Sequence, residues 1–361
     1  MSVAESTGST GSGAVAARPA SQGPSRGTII HGAGIAIFVL LLFFVLPNIT
    51  SNYWLQICTQ VVVYSVVALG LAILVGRVGM VSLGQIALLA LGGWIGLRLG
   101  FATGLPFPIL MLLAGLITGI LGVIVGLPAL RLSGLYLALI TLMAAAAISI
   151  VLQQTNFPNG GSGFLGHTES TLGGGSIRRP SIAEADPAFF RYTVVVTVLM
   201  FLLALWHVRG KAGRAWEAVR QSEPAALAAG VNLTLYKLWA FALASFMTGV
   251  AGGLLAANVG SLFNYSFPTR ENIVLLAVVL MGGIYSLWGA IVAGLLYRYL
   301  PALLDSWGLP ADLLTILFGV GVLQVLLTAP AGLVDQFPKD MAKLGRLIGR
   351  GGGRVLGVAR R

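Results

Sequence analysis

Long apolar runs alternate along the chain with short polar or glycine-containing interruptions. Many runs approach ~20 residues, the length a helix needs to cross a hydrocarbon core. They predict spans over residues 32–46, 55–75, 83–99, 109–127, 135–152, 192–208, 238–259, 273–280, 287–300 and 313–327. The expected fold class is therefore all-α: a polytopic integral membrane helical bundle of about ten transmembrane helices with broken, glycine-rich segments. A membrane β-barrel would show segments of about ten residues with alternating polarity, and the pattern here is not of that kind. Ten crossings put both termini on one side.

One polar insertion breaks the pattern for longer than any turn requires. Between the sixth and seventh spans, residues 210–249 read GKAGRAWEAVRQSEPAALAAGVNLTLYKLWAFALASFMTG. Arg214 to Gln221 is made of helix formers. Pro224 fits only a first helical turn, with Ser222 placed to cap it, so a second short helix can run from Glu223 to Ala229. Gly230 supplies a left-handed stop, and Asn232 or Thr234 can cap the helix that re-enters the apolar run. The expected product is a bent pair of interfacial helices exposing small alanine side chains. Glu223, Ala225, Ala226 and Gly230 form the pattern E-x-A-A-x-x-x-G. By themselves these eight residues suit a docking elbow for another protein or an ordinary amphipathic loop helix.

Composition agrees with a bilayer. Of 361 residues, 57% are hydrophobic and 9% charged, whereas a soluble domain carries roughly 25% charged residues. The formal net charge is +11, but the basic residues lie at span ends, in the polar insertion and in the tail, a distribution that fits the positive-inside rule and not nucleic-acid binding. The expected layout places sixteen of the 22 Lys and Arg inside and six outside: Arg98, Arg178, Arg179, Arg191, Arg270 and Arg298. Three regions follow. Residues 1–30 form an amino-terminal cytoplasmic tail, disordered because 1–27 are rich in Ser, Gly, Ala and Thr without an apolar period. It is no signal peptide, since no apolar segment follows the start closely. Residues 31–336 form the membrane domain, with the polar loop at 209–237, and residues 337–361 a basic cytoplasmic tail. The single cysteine, Cys58, lies inside an apolar run and reads as a buried structural thiol, giving neither a disulfide nor a metal cluster.

Candidate chemistry is sparse. Between the second and third spans, Gly79, Ser82, Gly84 and Gln85 mark a break that would free backbone groups, tolerated at membrane depth only where protein or water satisfies them. It lines a pathway, or it is a tight cytoplasmic turn followed by close packing through Gly92 and Gly93. Gly282, Gly283, Trp288 and Gly289 belong to a second interruption, whose sequence from Gly283 echoes 79–84 with one extra residue, a similarity that chance also explains. The outer segment carries Gly160, Gly161, Ser162 and Gly163, either an anion-binding nest or a flexible turn touching an extracytoplasmic protein. His167 and Glu169 nearby are too few to hold a metal. Arg98, Glu271 and Arg298 fall near outer span ends, where snorkelling would accommodate them. A proton- or sodium-coupled carrier needs a buried carboxylate relay, which is missing from the spans. No G-x-x-x-x-G-K-[ST] phosphate loop occurs, so any ATPase is a separate chain.

The run LVGRVGMVSLGQIALLALGGWIG at 74–96 resembles the glycine-rich segment of LivM-type permeases of branched-chain amino-acid ABC importers. LRLSGLYLALITL at 130–142, NGGSGF at 159–164, GRAWEAVRQSEPAALAAGVNLTLYKLWAF at 213–241 and MGGIYSLWGAIVAGLL at 281–296 resemble that family in the same order. The resemblance implies a non-enzymatic permease subunit without cofactor or metal, in a bacterial plasma membrane. It implies a second homologous permease, two cytosolic ATPases gripping Glu223 to Gly230, and an extracytoplasmic substrate-binding protein. Departures are Gln85 where members often have His, alanines around Ala146 where an acid is frequent, and Pro224 after Glu223. They leave a urea or short-amide importer permease open as the substrate alternative. An ATP-independent channel or carrier, and a scaffold without a pathway, are the readings from other classes.

Overall fold

Helix is the regular structure found among the described residues of the computed structural model, which are 40–129, 134–154, 179–260, 262, 266–308, 313, 316, 319–321, 323, 324, 327 and 332–334. The helices are α1 (Asn52–Ala72), α2 (Gln85–Thr103), α3 (Phe107–Ala129), α4 (Leu135–Gln154), α5 (Asp186–Arg209), α6 (Lys211–Gln221), α7 (Glu223–Ala228), α8 (Leu233–Val259), α9 (Glu271–Gly282), α10 (Leu287–Gly294) and α11 (Leu300–Ser306). Two π-helical stretches, Ile73–Val78 and Leu295–Tyr299, extend α1 and join α10 to α11. Among the described residues, six helices are long and apolar enough to cross a membrane, namely Asn52–Val78, Phe107–Leu127, Leu135–Gln154, Asp186–Arg209, Leu233–Val259 and Leu287–Ser306. Shorter apolar helices cover Leu40–Ile49, Gln85–Gly100 and Glu271–Gly282. The chain is a multi-pass, all-α membrane protein. Two of the ten expected spans, 83–99 and 273–280, correspond to the shorter helices, while seven residues of 313–327 and the start of the first span lie outside the described residues.

Helices α1 and α8 are apolar all round, and such helices are buried by others. Helix α8 packs on α1, α2 and α3, and α1 packs on α5 and α10. Small residues let the backbones meet: a side chain at Gly92 would strike Gly249, 2.5 Å from its Cα, and one at Gly249 would strike Thr118 and the Ala114 carbonyl. Without a hydrophobic drive between helices in lipid, such close contact is what holds a bundle together. By contrast α3 keeps Leu112, Leu116, Ile120, Ile124 and Leu127 exposed along one stripe.

The end of the bundle where α1 and α5 begin and α8 finishes is fastened by Arg179. Its guanidinium pairs with Asp186 at 2.7 Å, donates to the carbonyls of Ala257 at 3.0 Å and Asn258 at 3.3 Å, and lies over the Phe189 ring. Positive charge and donors thus meet the free carbonyls at the end of α8. The three ionisable groups near the outer span ends differ in their surroundings. Arg98 is buried in α2, Arg298 donates to Gln60 Oε1 at 2.8 Å and sits over Tyr64, and Glu271 accepts from the Tyr297 hydroxyl at 2.7 Å. Arg298 and Glu271 are both partly exposed while holding these partners. Cys58 is half-buried, not fully enclosed.

Candidate functional site

The polar insertion folds into an elbow. Helix α6 is amphipathic, with Gly213, Ala215, Trp216 and Val219 buried against the bundle. The Trp216 indole N–H donates to the Tyr236 carbonyl at 2.8 Å, tying α6 to the start of α8. Ser222 caps α7 by accepting from the Ala225 amide at 3.4 Å, and Pro224 sits in the first turn. Gly230 has φ +81°, a conformation that costs a residue with a Cβ roughly 1–2 kcal/mol. The next cap is Asn232, whose side chain accepts from the Leu235 amide at 3.1 Å. Glu223 pairs with Lys237 at 2.7 Å, and the Lys237 side chain is only 7% exposed against 46% for Glu223. Two separate side chains therefore lock the elbow to the foot of α8.

Ala225, Leu227, Ala228, Ala229 and Gly230 face outward as a knob of small groups around one leucine. Ala226 does not share that face. It is 2% exposed, because successive residues of a helix point about 100° apart and a helix lying on the bundle must turn one side towards it. Of the four elbow residues singled out from sequence, Ala226 is an anchor, whereas Glu223, Ala225 and Gly230 remain accessible.

Beside the elbow the two glycine-marked interruptions come together. The π-helix ends at Gly79, which is left-handed. Gly76 lies against the Ile284 carbonyl so closely that any side chain there would collide with it. Arg77 Nη2 donates to the Tyr285 carbonyl at 3.1 Å. From α6, Arg220 Nη1 donates to the Gly76 carbonyl at 2.8 Å while its guanidinium lies 4.7 Å from the centroid of the Tyr285 ring. Its stem rests on Gly79, where a Cβ would lie 3.3 Å from Arg220 Cγ.

Past Gly79 the chain makes no tight turn. Residues 79–84 are non-helical, and all but Gly79 and Val81 are buried. The stretch leads to Gln85, whose Oε1 accepts from the Thr248 hydroxyl at 2.7 Å. Thr248 lies twelve residues beyond Tyr236 at the elbow, about 18 Å along α8 at the helical rise. Six extended residues span at most about 20 Å, so 79–84 climbs from the elbow end into the middle of the bundle, and α2 starts there. The freed amides are met by side chains: Thr141 Oγ1 accepts from Leu83 N at 2.9 Å and Asn272 Oδ1 from Ile86 N at 2.9 Å. Backbone of this kind is stable at membrane depth only with such partners. Gln85 Nε2 is buried without a hydrogen-bond partner among the described residues.

Gly79 thus sits at the junction, whereas Ser82, Gly84 and Gln85 lie deep in the bundle. Gly282, Gly283 and Gly289 pack on one another in the second interruption, with Gly332 on Gly283, and Trp288 is partly exposed. Gly160, Gly161, Ser162 and Gly163 lie outside the described residues, as do residues 1–30 and 337–361. Arg220, Tyr285, Lys237, Thr141, Thr248 and Asn272 belong to this set of contacts without being singled out individually by any sequence motif. The available signal was polarity inside an apolar run, clearest for Asn272 and Thr141. No group of three or more His, Cys, Asp or Glu able to hold a metal ion occurs among the described residues.

Residues 53–326 match the family described as "Branched-chain amino acid transport system / permease component". The chain is 33% identical over 270 residues to the high-affinity branched-chain amino acid transport system permease protein LivM of Salmonella typhimurium, covering 69% of this chain and 63% of that protein. It is 31% identical over 280 residues to the protein of the same name from Escherichia coli strain K12, covering 72% and 65%. The alignments span a little under two thirds of the length of these relatives. No solved structure matches. Helices packed through glycine, an elbow stitched to the foot of α8 and a family match over most of its length agree: the chain belongs to the branched-chain amino acid transport permease family.

Proposed function

We propose that this chain is the membrane-spanning permease subunit of an ATP-binding-cassette importer for branched-chain, hydrophobic amino acids. The observation that carries this reading is the elbow of α6 and α7: an exposed knob of alanine and leucine, rigidly capped at both ends and locked by Trp216 and Lys237 to the foot of α8. A knob of small side chains admits close approach by a second surface, and a rigid elbow passes on whatever force that surface applies. Two separate cytosolic ATPases would grip Glu223 to Gly230 within the 209–237 loop. Their closure would rock the bundle and alternate its access, so ATP hydrolysis belongs to the partners and the chain itself is no enzyme. A second homologous permease would complete the pathway, with an extracytoplasmic binding protein delivering substrate near Gly160 to Gly163. Both termini, with the 1–30 and 337–361 tails, would face the cytoplasm of a bacterium whose plasma membrane holds the complex. The buried segment 79–84, with Gln85 at its top and the second interruption beside its foot, is the candidate pathway lining.

The test has two parts. Membrane-impermeant labelling of single cysteines at 210–236 should succeed only in inverted vesicles, and labelling from the outside would end the importer reading. Vesicles holding this chain alone should take up no leucine, and uptake should start once the ATPases, the second permease and the binding protein are added. Uptake by the chain alone would instead identify a channel or carrier. A ligand screen on the binding protein separates branched-chain amino acids from urea and short amides.

A further inference from the structure

We infer that Arg220 is the positioning residue that joins the elbow to both interruptions of the membrane helices, so that movement of α6 displaces the two together. The inference rests on the elbow being the ATPase dock and adds the residue through which force leaves it. The end of a helix leaves its last carbonyls without amide partners and carries partial negative charge. Arg220 meets that need at the end of the α1 π-extension by donating to the Gly76 carbonyl at 2.8 Å. The same planar group lies over the Tyr285 ring at 4.7 Å, and arginine is suited to hydrogen bonding in its plane while stacking on its face. One side chain from α6 therefore grips the first interruption by an edge and the second by a face.

The neighbours explain why the grip moves both segments. Arg77 donates to the Tyr285 carbonyl at 3.1 Å, and Gly76 fits against Ile284 without room for a methyl group. The two interruptions are thus already in register, and Arg220 adds the link to α6. Glu217, one turn back on α6, is 4.0 Å from the same Arg220 Nη1, beyond hydrogen-bond distance, so it offsets part of the charge while Nη1 donates to Gly76. Lys237 and Glu223 lock α7 to α8 independently, so removing Arg220 leaves the elbow docked while freeing the interruptions. Segment 79–84 runs from this grip to Gln85, which makes it the arm along which a shift at Arg220 reaches the middle of the bundle.

Two measurements test this. In lipid nanodiscs, Arg220→Ala should raise amide exchange at residues 79–83 and 284–287 about ten-fold, the factor carried by a charge-assisted hydrogen bond, and leave Leu235 at the head of α8 unchanged. Unchanged exchange in both interruptions overturns the inference whatever the partners are. In vesicles holding the complex purified through a tag on this chain, Arg220→Ala should cut leucine uptake about ten-fold while ATP hydrolysis stays within about two-fold. Equal falls in both, or no fall in uptake, would overturn transmission through Arg220. Tyr285→Leu, which leaves the elbow itself intact, should lower uptake per ATP about two- to five-fold, and Tyr285→Phe should restore it. The Tyr285 pair decides the matter if Arg220→Ala fails to assemble, and a Tyr285→Leu protein with unaltered coupling would overturn the inference. Absence of ATP-driven uptake in the unaltered complex would remove the importer reading instead, with the exchange experiment still deciding whether Arg220 holds the two segments.

Discussion

Arginine does the same physical work at the two ends of this bundle, with opposite consequences. At one end Arg179, in the loop before α5, caps α8, pairs with Asp186 and lies over the ring of Phe189 on the same helix as Asp186. At the other, Arg220 caps the extension of α1 but belongs to an amphipathic helix lying outside the spans, and its second contact is an aromatic ring on a different interruption. The first fastens; the second connects. Arg179 finds its acid and its ring on one helix, whereas the carbonyl and the ring that Arg220 holds belong to two different interruptions. The end with the elbow is therefore the one where a single side chain bridges separate segments.

The largest effect should come from filling the contact between the two interruptions. Gly76→Val would drive a side chain into the Ile284 carbonyl, at a cost of about 3 kcal/mol, the upper range for overpacking. Poor recovery of folded chain in detergent and loss of ATP-driven uptake are expected, and a Gly76→Val protein of normal yield and activity would mean that the two segments separate freely. Next, Arg179→Ala should lower stability by about 2–3 kcal/mol by leaving Asp186 and the α8 carbonyls unpaired. This appears as a lower melting temperature with uptake per folded complex unchanged. If Arg179→Ala instead lowered uptake per ATP as Arg220→Ala is expected to do, the contrast between the two ends would collapse.

A smaller effect is expected at Glu223→Gln, which leaves the buried Lys237 amine facing a neutral amide. Because Glu223 is nearly half exposed, water screens the pair and the cost should be about 1 kcal/mol. Adding Lys237→Met should recover part of that loss, and a thermal-melt double-mutant cycle with zero coupling would show that the pair does not hold the elbow. Smallest is Ser222→Ala. The cap bond is long at 3.4 Å, so about 0.5 kcal/mol is expected, the low end for such a cap. A melting shift larger than that of Glu223→Gln would reverse the order of the two.

Much of the elbow was legible before its coordinates. Ser222, Pro224, Gly230 and Asn232 act within a few residues of where they stand, and local backbone preferences survive in most tertiary settings. What could not be read was which alanine the knob exposes: Ala226 turned inward because the docking surface, supplied by distant residues, decides which side of a two-turn helix is covered. The break after α1 was legible as a break and not as a climb. Glycine and serine spacing reports that helix ends, but the path from Gly79 to Gln85 depends on acceptors from Thr141 and Asn272, far along the chain. The same holds for Glu271 and Arg298, whose partners Tyr297 and Gln60 lie 26 and 238 positions away.

The order of residues by itself determined that this is a bundle of membrane helices with one polar elbow, because burial in lipid demands long apolar runs and closed backbone hydrogen bonds, requirements written locally and repeated throughout. The tertiary structure alone decided that the elbow, the first interruption and the second meet at Arg220. That meeting joins residues more than sixty positions apart in the chain, from Gly76 through Arg220 to Tyr285, and no local preference encodes it. It follows from the way glycine contacts set the helices against one another, which fixes where each interrupted end comes to rest.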